Sequence, residues 1–135
     1  MKNFKIVFVL FLCCFLHSVM LNAQSIGDYR TVTGGTFSDV AIWETYNGSW
    51  AAAAAFPNGA GSVTIIMDLG IAMAAGKTFL VNGVIEFPGT TQIDGTGLFS
   101  LAAGSTLKTA NPNGVYGTAS SVKNTLSVTF NVAAN

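Results

Sequence analysis

Asp68, Glu86 and Asp94 are the acidic side chains of the central part of this chain, and acid chemistry would have to start from them. Acidic clusters that hold calcium or work beside a basic residue can cleave sugar chains. Here the three carboxylates are far apart and unevenly spaced, with no Asp-x-Asp pattern. That spacing describes solvated turns and outward strand positions better than a catalytic cluster. The only histidine, His17, and both cysteines, Cys13 and Cys14, fall before Gln24, in a segment that reads as a removable leader. Without them the chain has no Ser-His-Asp or Cys-His catalysis and no ordinary zinc ligation. No catalytic residue, metal ligand or cofactor is assigned.

Gly70-Ile-Ala-Met-Ala-Ala-Gly76-Lys77-Thr78 invites a phosphate-loop reading. It fails on spacing, because its glycines stand one position further apart than the nucleotide motif allows. No amphipathic helix follows Thr78 to supply an anion-binding N-terminus. The phrase also returns at Leu101 without its lysine, which marks it as structural. Gly95-Thr-Gly97 lacks the third glycine of a dinucleotide fingerprint and reads as a turn.

The aromatic residues are the better candidates for binding. Trp43-Glu-Thr-Tyr46 and Ser49-Trp50-Ala-Ala52 flank Asn47-Gly48, the strongest short signal for a two-residue hairpin. In that register Thr45 faces Trp50 and Trp43 faces Ala52, so both tryptophans share one face. Trp43, Tyr46 and Trp50 then form a platform for a sugar ring, or a hydrophobic lid on the end of the domain, which is the preferred reading. Asn47-Gly-Ser49 also matches a glycosylation acceptor, a pattern common by chance.

Lys2 and Lys5 precede an apolar run from Ile6 to Leu16, the length of a signal-peptide core and short for a membrane span. Cleavage after Ala23 leaves residues 24–135, which carry Arg30, Lys77, Lys108 and Lys123 against six carboxylates, a formal charge of 4 − 6 = −2. So balanced and sparse a charge offers no footprint for nucleic acid. No membrane span is expected once the leader is gone. All 15 glycines follow the leader. Glycine, threonine and β-branched residues with few Glu, Lys or Arg describe strands and tight turns.

Residues 24–61 read as an N-terminal cap containing the hairpin, with Tyr29 and Val32 as edge-strand residues. The alanines 51 to 55 are too few to hold a helix before Pro57-Asn-Gly59. Residues 62–135 read as repeats. Met73-Ala-Ala-Gly76-Lys-Thr-Phe79 returns as Leu101-Ala-Ala-Gly104-Ser-Thr-Leu107, with a looser copy at Phe87-Pro-Gly89 about midway between them. A recurrence at that spacing predicts coils of strand and turn that bury their apolar faces against one another. Thr125 to Val132 alternates cleanly, with Leu126, Val128, Phe130 and Val132 on one face. The chain stops soon afterwards, at Asn135, without a polar cap, as expected of a piece truncated at its C-terminus. The expected class is all-β: a parallel, right-handed β-helix or solenoid of two to three coils with a hairpin cap. A small β-sandwich is the alternative.

Several phrases together resemble the N-terminal region of large secreted bacterial surface proteins. They are Leu21-Asn-Ala-Gln24, Gly35-Thr-Phe37-Ser-Asp39-Val-Ala-Ile-Trp43, Pro57-Asn-Gly-Ala-Gly-Ser-Val63-Thr-Ile65 and the Gly-Ser-Thr-Leu turn at Gly104. Such proteins carry β-helix-like repeats and often a C-terminal sorting domain for type IX secretion. Phe37 stands where they often have tryptophan, Ser62 where they often have aspartate, and no sorting domain is present. The resemblance implies a secreted, extracellular fragment displayed at the bacterial cell surface and engaged in adhesion, with no catalysis of its own. Its expected partners are extracellular polysaccharide or other surface components, not nucleic acid or nucleotide. The alternatives are a glycan-binding module and the N-terminal part of a polysaccharide-degrading β-helix enzyme.

Overall fold

The computed structural model describes residues 24–131. The leader expected over residues 1–23, and Val132 at the end of the alternating segment, lie outside them. The described chain is all-β. Its strands are β1 (Tyr29–Thr31), β2 (Gly35–Thr36), β3 (Trp43–Tyr46), β4 (Trp50–Ala52), β5 (Thr64–Ile66), β6 (Ile71–Met73), β7 (Thr78–Val81), β8 (Val84–Phe87), β9 (Ile93–Gly95), β10 (Leu98–Leu101), β11 (Thr106–Thr109) and β12 (Ser127–Phe130). One turn of 3-10 helix, Val40–Ile42, interrupts them, with the Asp39 side chain accepting from Ala41 N–H as its cap. The alanine run forms no helix; Ala51 and Ala52 complete β4.

Three sheets result. One has six strands in the order β11-β8-β5-β1-β3-β4, and the others run β12-β10-β7 and β2-β6-β9. Strands β5, β6, β7, β8 and β10 each pair in parallel with a later strand, skipping those in between. Thr64 lies beside Val84 and Val84 beside Thr106; Thr78 lies beside Leu98 and Ile71 beside Ile93. A third position beside β9 is taken by Val122, which bridges Ile93 in parallel. β1 and β2 join the same sheets through parallel pairs with β5 and β6. Among the described residues only β1-β3 and β3-β4 are antiparallel. β1 therefore sits between β3 and β5 and is not an edge strand.

The numbering of Thr64, Val84 and Thr106 sets the interval between paired strands. It matches neither the full recurrence of the Ala-Ala-Gly phrase nor half of it, so the Gly76 and Gly104 turns do not stack. Both phrases make one type of turn. Lys77 N–H reaches Ala74 O at 3.2 Å and Ser105 N–H reaches Ala102 O at 3.1 Å. Each has its glycine third with positive φ, 73° and 78°, as a type II turn requires. Gly76 joins β6 to β7, whereas Gly104 joins β10 to β11. The repeated words encode a corner that the chain uses twice, in different places.

The core follows from alternation. In β7, β8 and β10 every second side chain points inward: Phe79 and Val81, Ile85 and Phe87, Phe99 and Leu101 are all buried. In-register pairing stacks like on like, Phe79 on Phe99 and Ile71 on Ile93. An aromatic column results, with Phe37 and Phe79 at 4.4 Å between ring centroids and Phe79 and Phe99 at 5.8 Å. Trp43 packs edge-on against Phe37 and Phe79 and donates its indole N–H to Phe37 O at 3.0 Å. Burying each such ring contributes about 1.5–3 kcal/mol.

Buried polar groups are matched. The Asp28 carboxylate, 4 % exposed, accepts from the amides of Ser25 and Thr64, fastening β1 to the start of β5. The Thr31 hydroxyl accepts from Leu69 N–H and donates to Leu69 O. The loop from Ala110 to Ser121 folds around Asn111, which donates to Ala119 O and accepts from Asn113 N–H. That loop delivers Val122 to its place beside Ile93.

Candidate functional site

The outer face of the six-stranded sheet brings together Arg30, Glu44, Glu86, Lys108, Tyr46 and Trp50. Parallel register places Ile66, Glu86 and Lys108 in one row across β5, β8 and β11. The row continues through Arg30 of β1 and Glu44 of β3. Lys108 Nζ reaches Glu86 Oε1 at 2.5 Å. Arg30 Nε and Nη2 both donate to Glu44 Oε2, at 2.8 and 2.6 Å. Exposed pairs of this kind contribute about 0–1 kcal/mol each.

Beside the Arg30–Glu44 pair lie two of the three aromatic candidates. Tyr46 and Trp50 are direct cross-strand partners with ring centroids 5.4 Å apart and edge-to-face. The Arg30 guanidinium carbon sits 4.6 Å from the centre of the Trp50 ring. Glu44 thus holds a cation against Trp50, an arrangement worth about 0.5–1 kcal/mol at an exposed site. Among the described residues no protein atom bonds Glu44 Oε1 or Arg30 Nη1, so an acceptor and a donor remain beside the rings.

Trp43 is elsewhere. It is 1 % exposed and belongs to the core. The register expected from the sequence is off by one residue, since Tyr46 rather than Thr45 faces Trp50. The reason is the loop. A two-residue turn needs positive φ at both Asn47 and Gly48, but among the described residues only glycines have it, Gly48 at 105°. The loop is therefore Asn47-Gly48-Ser49, with Asn47 N–H bonded to Ser49 O at 3.1 Å. A slip of one residue moves a whole strand's side chains to the other face, which separates Trp43 from Trp50.

The three acidic candidates do not come together. Asp68 is exposed in the turn after β5. Glu86 pairs with Lys108 on the six-stranded sheet. Asp94 lies on β9 of another sheet, bonded to Lys123 Nζ at 2.7 Å, to Gly95 N–H at 2.6 Å and to the Thr125 hydroxyl at 3.0 Å. The Lys123 hydrogen bond first, then the Gly95 amide, hold the Asp94 carboxyl below the usual carboxylate range, against a smaller opposing effect of burial. Lys77 is exposed in its turn, and Thr78 opens strand β7 instead of a helix. Among the described residues no three His, Cys, Asp or Glu side chains gather as a metal site.

Asp94 gives a testable pH dependence. Its folded pKa is depressed, so its contribution is present above the unfolded value, about 3.9, and disappears as pH falls through the folded one. Asp94→Asn is expected to lower the urea midpoint slightly at pH 7 and by less at pH 2. The loss stays small because the Asp94 side chain is 45 % exposed and screened by solvent. Equal losses at both pH values would contradict this.

Two depressions border the same outer face. One, of about 290 Å³, lies at the start of β5 and β8 between Thr64, Asn82, Gly83 and Gly104. The other, of about 250 Å³, lies at the far end of β8 and β11 between Glu86, Pro88, Lys108 and Thr109. Sequence reasoning missed Arg30 and Glu44, whose juxtaposition depends on the β1-β3 pairing. It also missed the ion pair of Glu86 with Lys108, although their separation in the chain equals the strand-to-strand interval of β8 and β11.

Fold and surface together define an all-β protein with a charged and aromatic sheet face. No helix among the described residues is long and apolar enough to cross a membrane. No protein-family model, curated protein or solved structure matches the chain.

Proposed function

We propose that this chain is an exported structural or adhesive module of a bacterial cell-surface protein, wound as a parallel β-helix and without catalysis of its own. The observation that carries the reading is the pairing of β5-β8, β6-β9 and β7-β10, each in parallel and each skipping two strands. Short connections between strands that pair this way suit successive coils better than a sandwich, whose strands are joined mainly by antiparallel hairpins. Stacked coils give a stiff spacer whose outer faces are free to meet other molecules. An epitope inserted at the exposed Asn47-Gly48-Ser49 loop should label intact cells of the source organism, and deleting the gene should reduce their adherence. Labelling only after lysis would overturn the reading.

A second reading is favoured by the Tyr46–Trp50 pair, with Glu44 Oε1 and Arg30 Nη1 beside it. Aromatic faces stack on the apolar faces of sugar rings, and paired charged groups bind their hydroxyls. On this reading the site takes extracellular polysaccharide. Titration with plant and host polysaccharides should change tryptophan fluorescence, and Trp50→Ala should abolish the change because Trp43 is shielded. An unchanged spectrum with every polysaccharide would remove this reading.

A further inference from the structure

The outer edge of β4 is a terminal strand edge of the six-stranded sheet. Ala53 N–H bonds to Trp43 O at 3.0 Å and Asn47 N–H to Ser49 O at 3.1 Å, which fixes the hydrogen-bonding phase of the hairpin. Ser49, Ala51 and Ala53 turn their backbone groups toward β3. Trp50 and Ala52 must then turn theirs away from the sheet, where β4 is the terminal strand.

Exposed strand edges are normally blunted by lysine, proline or a bulge. β4 has none of these: its sequence is Trp-Ala-Ala, and the next charged residue along the chain is Asp68. The opposite terminal strand, β11, carries Lys108 with its side chain 61 % exposed. Two copies of β11 would bring like charges together, whereas two copies of β4 would not. Arg30 and Glu44, the nearest charges to β4 on the outer face, already neutralise each other.

We propose that two copies of this chain join edge to edge through β4, antiparallel, about a two-fold axis at Ala51. With that centre Trp50 lies opposite Ala52 of the other copy, and each such pair exchanges both N–H···O bonds. The small Ala52 side chain leaves room for the Trp50 ring across the junction. The two six-stranded sheets become one continuous sheet, with both Tyr46–Trp50 pairs on the same face. The interface is isologous and closes at the dimer. It is independent of the adhesive and glycan-binding readings, though it would make any ligand site on that face bivalent. So short a stretch of pairing makes a weak dimer, populated at high protein concentration.

Sedimentation equilibrium of the full chain over a wide concentration range should show monomer and dimer. Ala52→Pro removes an outward N–H and no bond to β3, so it should weaken the dimer by roughly tenfold or more. Ala52→Lys should weaken it similarly by bringing like charges to the junction. Hydrogen exchange gives a readout on the unaltered protein: the Trp50 and Ala52 amides should be protected more at high concentration than at low. A monomer at every concentration would overturn the proposal, as would concentration-independent exchange at both amides. So would a dimer abolished by Phe130→Pro but untouched by the Ala52 variants, since that contact would lie on β12.

Discussion

Replacing Phe79 with alanine is expected to remove about 3–5 kcal/mol of stability. Phe79 is fully buried and central to the aromatic column, touching Phe37, Trp43 and Phe99. Its register partner is Phe99, so the lost ring leaves a void flanked by large, rigid side chains. Rings held in place by paired strands cannot collapse inward, so the cavity cost adds to the lost transfer energy. Phe79→Leu should cost less, because it refills most of the volume. Urea unfolding followed by far-UV circular dichroism would measure both. The expectation fails if Phe79→Ala costs less than about 1 kcal/mol, since a column that loose would not be a core. Phe130→Ala is the internal contrast. That ring is 46 % exposed, and its loss should cost well under half as much.

Gly95→Ala should be nearly as damaging, for a backbone reason. Gly95 has φ of 111°, and a Cβ there would collide with Met73 O and lie 2.8 Å from Met73 N. Met73 is its register partner on β6, so the clash is between two paired backbones and no side chain can yield. The strands must separate or the turn must change, at about 3 kcal/mol or more. Gly76→Ala is the comparison. It also has positive φ, 73°, but a Cβ there meets nothing within 4 Å. Only the conformational penalty applies, about 1–2 kcal/mol. The two midpoints should therefore separate clearly. Equal losses would mean that close approach of β6 and β9 is not what selects glycine at Gly95.

The hairpin shows how far local sequence reasoning reaches. Asn47-Gly48 signals a turn, and a turn is there. The number of loop residues depends on whether Asn47 adopts positive φ, and it does not. That detail, invisible in the composition, sends Trp43 into the core and leaves Trp50 outside. The recurring Ala-Ala-Gly phrase misleads in a similar way. It encodes the type II turn correctly, but a turn does not specify which strand it will lie beside.

What this chain's residues determine by themselves is local and periodic. Alternation in Thr78 to Val81 and Leu98 to Leu101 specifies strands and which side faces inward, because successive side chains on a strand must point oppositely. Glycines mark corners, and glycine, threonine and β-branched residues with few Glu, Lys or Arg make the class all-β. Tertiary structure alone decided which strands are neighbours, and hence the partners of Arg30, Glu86 and Asp94. The interval at which strands pair in parallel is chosen by the stacking of Phe79 on Phe99 and Ile71 on Ile93, contacts between distant segments. An interaction of that kind has no signature within either segment. It exists only when both are folded against the same core.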